Sequence, residues 1–145
     1  MAPCPFSCKG KLKSTRKSHF NAAHRLYRPD WDDQKNNDVF GKCNNPNFNG
    51  HNYALEVGIT GEVDPETGYL IDIKKLKTIM KEEVEDYLDH KNLNLDVPEF
   101  KVINPTMENI AILIWNKLRD KLEDEFKISV TLYETPRNYA VYNGE

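Results

Sequence analysis

The chain has 145 residues, of which 39% are hydrophobic and 10% aromatic, a length that suits one globular core and predicts one domain over residues 1–145. Its 20 basic and 23 acidic residues leave a formal charge of −3, so no large positive field exists for a phosphate backbone, and a nucleic-acid partner is excluded from the expectation. No apolar run approaches the roughly 20 residues that cross a bilayer, and MAPCPFSCKG lacks the apolar stretch of a signal peptide, which predicts a soluble, cytoplasmic protein without a membrane partner.

Cys4 and Cys8 fall in a Pro- and Gly-punctuated stretch, residues 1–10, expected to be a mobile extension. With Cys43 they make three cysteines and no CxxC pair, which fits a reducing compartment better than a disulfide framework. Residues 11–23 read as a strand, with Phe20, Ala22 and His24 on one side. The next stretch, RPDWDDQKNNDVFGKCNNPNFNG, is crowded with Asp, Asn, Pro and Gly and predicts a long loop, a feature that is uncommon in compact domains and often functional. Over 52–63, Tyr53, Leu55, Val57 and Ile59 alternate with Ala54, Glu56, Gly58 and Thr60, the period of a strand. DPETG turns the chain, and YLIDI is expected to return as the hairpin partner.

From 73 to 88, Ile73, Leu76, Met80, Val84, Tyr87 and Leu88 follow helical spacing, predicting an amphipathic helix. NPTMENIAILIWNKL predicts a second, with Asn104 or Thr106 as N-cap and Glu108 in the first turn. FKISVTLYE alternates again, and a turn at 136–138 leads into a last strand, YAVY. The order ββ, αα, ββ predicts an α+β fold, an antiparallel sheet with two helices on one face. Its hydrophobic strand edges invite pairing with another subunit, so a homo-oligomer is expected.

Some polar residues sit where packing alone would not put them. Glu134 continues the stripe Phe126, Ile128, Val130, Leu132, and a carboxylate in phase with a core stripe needs partners or a ligand; two oxygens suit adjacent N–H donors of a polar ring. A strand that frays and lets Glu134 reach water is the alternative. His51 is in phase with Tyr53 and with position 49, which is asparagine rather than a second histidine. His24 and His51 converge if the first two strands pair, although histidines bonded to backbone are the commoner case than metal ligands. His19 is opposite in phase and is not counted as a ligand. Cys43 sits beside Lys42, a cation that favours thiolate, against the alternative of an idle buried thiol. Asp89 and His90 are adjacent, either plain helix-end polarity or a carboxylate orienting an imidazole for proton transfer.

Taken together, FNAAHRLY, FGKCNNPN, GHNY, GEVDPETGYLID, LDHKNLN, NPTMENIAILIWNKL and LYETPRN resemble the 6-pyruvoyl-tetrahydropterin synthase family, including its 6-carboxy-tetrahydropterin synthase branch, from about residue 20 to the C-terminus. The resemblance implies the tunnelling fold, in which ββααββ subunits join edge to edge into barrels and two trimers stack as a homohexamer with active sites between subunits. It implies a carbon–oxygen lyase of tetrahydrobiopterin biosynthesis that eliminates triphosphate from 7,8-dihydroneopterin triphosphate, with Zn2+ as Lewis acid. The alternative is a carboxy-forming enzyme of queuosine and deazapurine biosynthesis. By motif, His24 and His51 correspond to zinc ligands, Cys43 to the catalytic base, Asp89 and His90 to its proton-relay pair, and Glu134 and Thr106 to residues holding the pterin ring. The departure is Asn49, standing where the pattern has the remaining zinc histidine. An amide oxygen is a poorer donor to zinc than imidazole, so the expectation is weakened zinc binding, an altered site, or an inactive pterin-binding variant. Arg16, Lys17, Arg25 and Lys42 are triphosphate candidates by charge.

Overall fold

The computed structural model describes Phe6 and residues 10–145, so the expectations for Cys4, Cys8 and the remainder of the extension lie outside the described residues. Strands β1 (Lys11–His24) and β2 (Asn49–Glu62) pair antiparallel along their whole length, with Phe20 opposite Tyr53 and His24 opposite Asn49. On the other flank of β2 lies β4 (Lys127–Tyr133), and β5 (Tyr139–Tyr142) pairs antiparallel with β4. The expected antiparallel sheet has one exception. The short β3 (Lys91–Asn92) runs parallel beside Ala22 and Ala23 of β1, giving a mixed five-stranded sheet in the order β3-β1-β2-β4-β5. A two-residue bridge has no periodicity to betray it in a sequence.

A second correction concerns YLIDI, which forms no strand. Both flanks of β2 are taken, one by β1 and the other by β4, so no ladder remains for a hairpin partner. The turn before it closes on itself instead: Gly68, at a left-handed φ of 76°, donates to the Asp64 carbonyl at 2.8 Å, and Asp64 N–H donates to the Tyr69 carbonyl at 2.8 Å. Asp72 then caps a helix by accepting from Lys74 N–H at 2.9 Å. That helix is α2 (Ile73–Met80), which passes through a wider π turn at Lys81–Glu85 into α3 (Asp86–Leu88) and so fulfils the helix predicted over 73–88.

The stretch expected as a long loop contains α1 (Asp33–Phe40), capped by Asp32, and a 3-10 turn at Gly41–Asn44. Its sequence, DQKNNDVF, has no apolar stripe to signal a helix. After β3 come α4 (Leu93–Asp96), a 3-10 turn at Pro98–Lys101, and α5 (Met107–Lys121), whose N-cap is Thr106.

The inner face of the sheet supplies Phe20, Tyr53, Leu55, Val57, Ile59, Val130 and Leu132, all buried. They pack against Leu76, Met80, Val84 and Leu88 of the α2–α3 run and Ile110, Ile114 and Leu118 of α5 in one hydrophobic cluster. Trp115 Nε1 donates to the Ile128 carbonyl at 2.9 Å and binds α5 to β4. At the end of β1 the apolar stripe Phe20, Ala22 gives way to His24, still fully buried. No helix among the described residues is long and apolar enough to cross a membrane.

Ile114 is fully buried, whereas Ile112, on the same helix, is 37% exposed. Ile114→Ala is therefore expected to cost about 2–5 kcal/mol of stability, and Ile112→Ala roughly 0.5 kcal/mol or less, as read from the urea midpoints of the two variants.

Candidate functional site

The β1–β2 register places His24 and His51 diagonally on the inner face, with His51 opposite Ala22. Their rings meet edge to face, centroids 5.0 Å apart. His24 Nδ1 lies 2.7 Å from the Pro105 carbonyl oxygen. A carbonyl only accepts, so Nδ1 carries the proton and donates, which leaves Nε2 with a bare lone pair. That Nε2 is buried without a partner, as is His51 Nε2. An unsatisfied buried polar atom costs about 1–3 kcal/mol, and two imidazole nitrogens left so side by side suit a ligand. Burial pushes the His24 imidazole below its ordinary value, against the opposing pull of the Pro105 hydrogen bond. The neutral form is the one that binds metal. Burial likewise raises the phenol of Tyr53, whose hydroxyl lies 3.4 Å from His24 Nδ1.

The end of β4 brings in a third donor. Glu134 Oε1 is 3.8 Å from His51 Nε2, and one ligand atom each from His24, His51 and Glu134 lie within 4.8 Å of one another. Two imidazoles and a carboxylate are a zinc-type donor set, so these residues fit the metal that the sequence motifs imply. Asn49 shares the face of His51 and stands opposite His24, but its Nδ2 donates to the Lys42 carbonyl at 3.2 Å.

Glu134 also opens onto a cleft of about 390 Å³ lined by Leu26, Thr106, Met107, Glu108, Arg137 and Tyr139 among others. The Thr106 hydroxyl accepts from Asn109 N–H at 3.2 Å and caps α5. Glu134 and Thr106 are thus brought to one cleft, with Glu134 shared by the cleft and the histidine pair.

Cys43 is a free, half-buried thiol in the 3-10 turn before β2, and its carbonyl accepts from Leu26 N–H at 2.8 Å. Asp89 and His90 lie elsewhere, at the end of α3. His90 Nδ1 is 2.9 Å from Asp89 Oδ2, and Asp89 Oδ1 accepts from Asn21 N–H at 2.8 Å. The Asn21 N–H first, and the His90 ring after it, hold the Asp89 carboxyl below the usual carboxylate range. His90 adopts a left-handed φ of 57°, a conformation that few non-glycine residues hold and that often marks a site; its N–H donates to the Asn21 carbonyl at 2.6 Å. It lines an open cleft with Asn21, Gly50, His51 and Asn52, which Cys43 does not line.

Several contributors escape a reading of the sequence. The Pro105 carbonyl is a backbone group with no side-chain signature. Arg137 lines the Glu134 cleft, and the TPRN turn in which it stands was legible only as a turn. Arg25 is spent within the fold: its Nε donates to the Asn44 carbonyl at 3.0 Å and its guanidinium lies 4.1 Å from the centre of the Tyr27 ring. His19 is exposed, as its strand phase implied.

The sequence model of one family, described as 6-pyruvoyl tetrahydropterin synthase, matches residues 13–145. The chain is 45% identical over 131 residues to the 6-pyruvoyl tetrahydrobiopterin synthase of Homo sapiens, covering 90% of each chain. It is 47% identical over 131 residues to the protein of the same name from Dictyostelium discoideum, covering 90% of this chain and 95% of that one. The solved structure of Caenorhabditis elegans 6-pyruvoyl tetrahydropterin synthase matches with a TM-score of 0.89 at 39% identity, over 97% of this chain and 100% of that one.

Because Thr106 caps α5 where the helix meets the cleft, Thr106→Ala is expected to lower stability by about 1 kcal/mol. Thr106→Ser, which keeps the hydroxyl, should retain most of it, and thermal unfolding of the pair measures the difference.

Proposed function

The chain belongs to the 6-pyruvoyl tetrahydropterin synthase family, and we propose that it is a zinc-dependent carbon–oxygen lyase converting 7,8-dihydroneopterin triphosphate to 6-pyruvoyl-tetrahydropterin with loss of triphosphate. The observation that carries this reading is the bare, buried Nε2 of His24 beside His51 and Glu134, next to a cleft shared by Glu134 and Thr106. His24 and His51 would hold the ion, which would supply Lewis acidity toward the substrate's side-chain oxygens and the adjacent C–H bonds.

The protein's own groups do the rest. Glu134 accepts hydrogen bonds from the N–H groups of the pterin ring, and Thr106 flanks that ring in the same cleft. Cys43, as thiolate, takes the proton from the side-chain carbon whose neighbouring C–O bond to triphosphate breaks. Asp89 holds the His90 ring through Nδ1, leaving the far nitrogen to pass a proton.

His90 lines a cleft that Cys43 does not line, which supports His90 and its partner Asp89 joining the reaction from a neighbouring subunit. The edge strand β5 leaves Tyr139 54% and Val141 53% exposed, surface suited to pairing with another copy. We place the active sites at such junctions in a homohexamer of two trimers.

Incubation of the zinc-loaded protein with 7,8-dihydroneopterin triphosphate should release triphosphate and yield 6-pyruvoyl-tetrahydropterin. Recovery of 6-carboxy-tetrahydropterin with acetaldehyde would instead make it a carboxy-forming enzyme, and zinc-loaded protein that releases no triphosphate would make it a pterin-binding protein without turnover. Cys43→Ala should lower kcat by about 100-fold or more; an unchanged rate removes Cys43 as the base.

A further inference from the structure

We infer that Glu134, and not Asn49, supplies the third protein ligand of the metal site, so that this chain holds its ion with two histidines and one carboxylate. The inference rests on the metal-binding reading above and deepens it. Position 49 faces the site, since it is opposite His24 in the strand ladder and in phase with His51. Its Nδ2 donates to the Lys42 carbonyl, which leaves only the amide oxygen for an ion. An amide oxygen is also neutral, and zinc sites are built from imidazole, thiolate and carboxylate.

Glu134 meets both requirements. It follows directly on β4, whose inner-face residues Ile128, Val130 and Leu132 are buried, so the strand phase carries its side chain to the same face as the histidines. Its backbone is held there by an N–H to the Asn138 carbonyl at 3.1 Å. Ligand atoms around a tetrahedral zinc at roughly 2.0–2.1 Å stand about 3.4 Å apart. The three donor atoms, within 4.8 Å of one another, need only a small side-chain adjustment to reach that spacing. His24 Nε2 and His51 Nε2 have no other partner. Two neutral imidazoles and one carboxylate reduce the charge of a divalent ion to +1 and leave the fourth position open, the arrangement of a catalytic rather than a structural site.

A carboxylate has two oxygens, and Glu134 borders the Thr106 cleft as well as the histidines. One oxygen on the ion and the other toward the ring cleft would join metal and ring recognition in a single side chain. Metal affinity in this chain is then decided by the end of β4 rather than by the start of β2.

The test is a titration of chelator-stripped protein with Co2+ alone, without substrate, followed by visible absorbance. The unaltered protein should bind one Co2+ per subunit. Glu134→Gln, which keeps shape and loses charge, should weaken binding by about 100-fold or more, at least what the loss of an outer-shell partner costs. Asn49→Ala should leave the Kd within about three-fold. The double variant Glu134→Gln with Asn49→His should regain binding, because the new imidazole falls opposite His24; regained binding also shows that the single variant lost a ligand and not its fold. A Glu134→Gln protein with the original Kd, or an Asn49→Ala protein that alone loses Co2+, overturns the inference while leaving the metal-binding reading intact. An unaltered protein that binds no Co2+ overturns both.

Discussion

The register between β1 and β2 is the constraint on which the site depends. With Phe20 opposite Tyr53, His24 falls opposite Asn49 and His51 opposite Ala22, and all these side chains face the same layer. A slip of one residue would send the whole set to the other face. The register is held by burial: Phe20 and Tyr53 stack at 4.9 Å between centroids, and Leu55, Val57 and Ile59 continue the same covered stripe. The apolar core and the polar site are therefore consecutive lengths of one strand pair.

The second tie is between that sheet and α5. The hydrogen bond from His24 to the Pro105 carbonyl spans most of the fold, joining the end of β1 to the residue before the N-cap. It orients the ring and selects its tautomer in one contact. Because α5 is itself seated by Ile110, Ile114 and Leu118 in the core and by Trp115 on β4, the carbonyl just before its N-cap is held close to a fixed element, with Tyr27 N–H and Asn109 Nδ2 bonding the adjacent Asn104. An acceptor of this kind fixes the tautomer and the orientation of the ring it bonds.

The remaining groups are distributed by strand ends and turns. Glu134 arrives at the end of β4, Cys43 in the turn before β2, and Asp89 with His90 at the end of α3 beside the sheet edge. Of these, Glu134 comes within 3.8 Å of His51 Nε2. His90, held in a left-handed backbone by Asn21 and exposed over 78% of its side chain, presents its imidazole outward.

By itself the sequence determined the long elements. Tyr53, Leu55, Val57 and Ile59 alternate because one face of β2 is covered, and Leu76, Met80, Val84 and Leu88 recur with helical spacing because one stripe of the α2–α3 run is. It also marked His24, His51 and Glu134 as polar residues in core phase, since a charge or ring nitrogen inside an apolar stripe is conspicuous without coordinates. Tertiary structure decided what periodicity cannot express. It denied YLIDI a strand, because both flanks of β2 were already paired. It drew α1 out of a stretch with no apolar stripe, and β3 out of two residues. Above all it decided which group meets the histidines, for the resemblance set position 49 beside His51, a local relation within one strand. Glu134 is far away in sequence, and only the pairing of β2 with β4 brings it alongside.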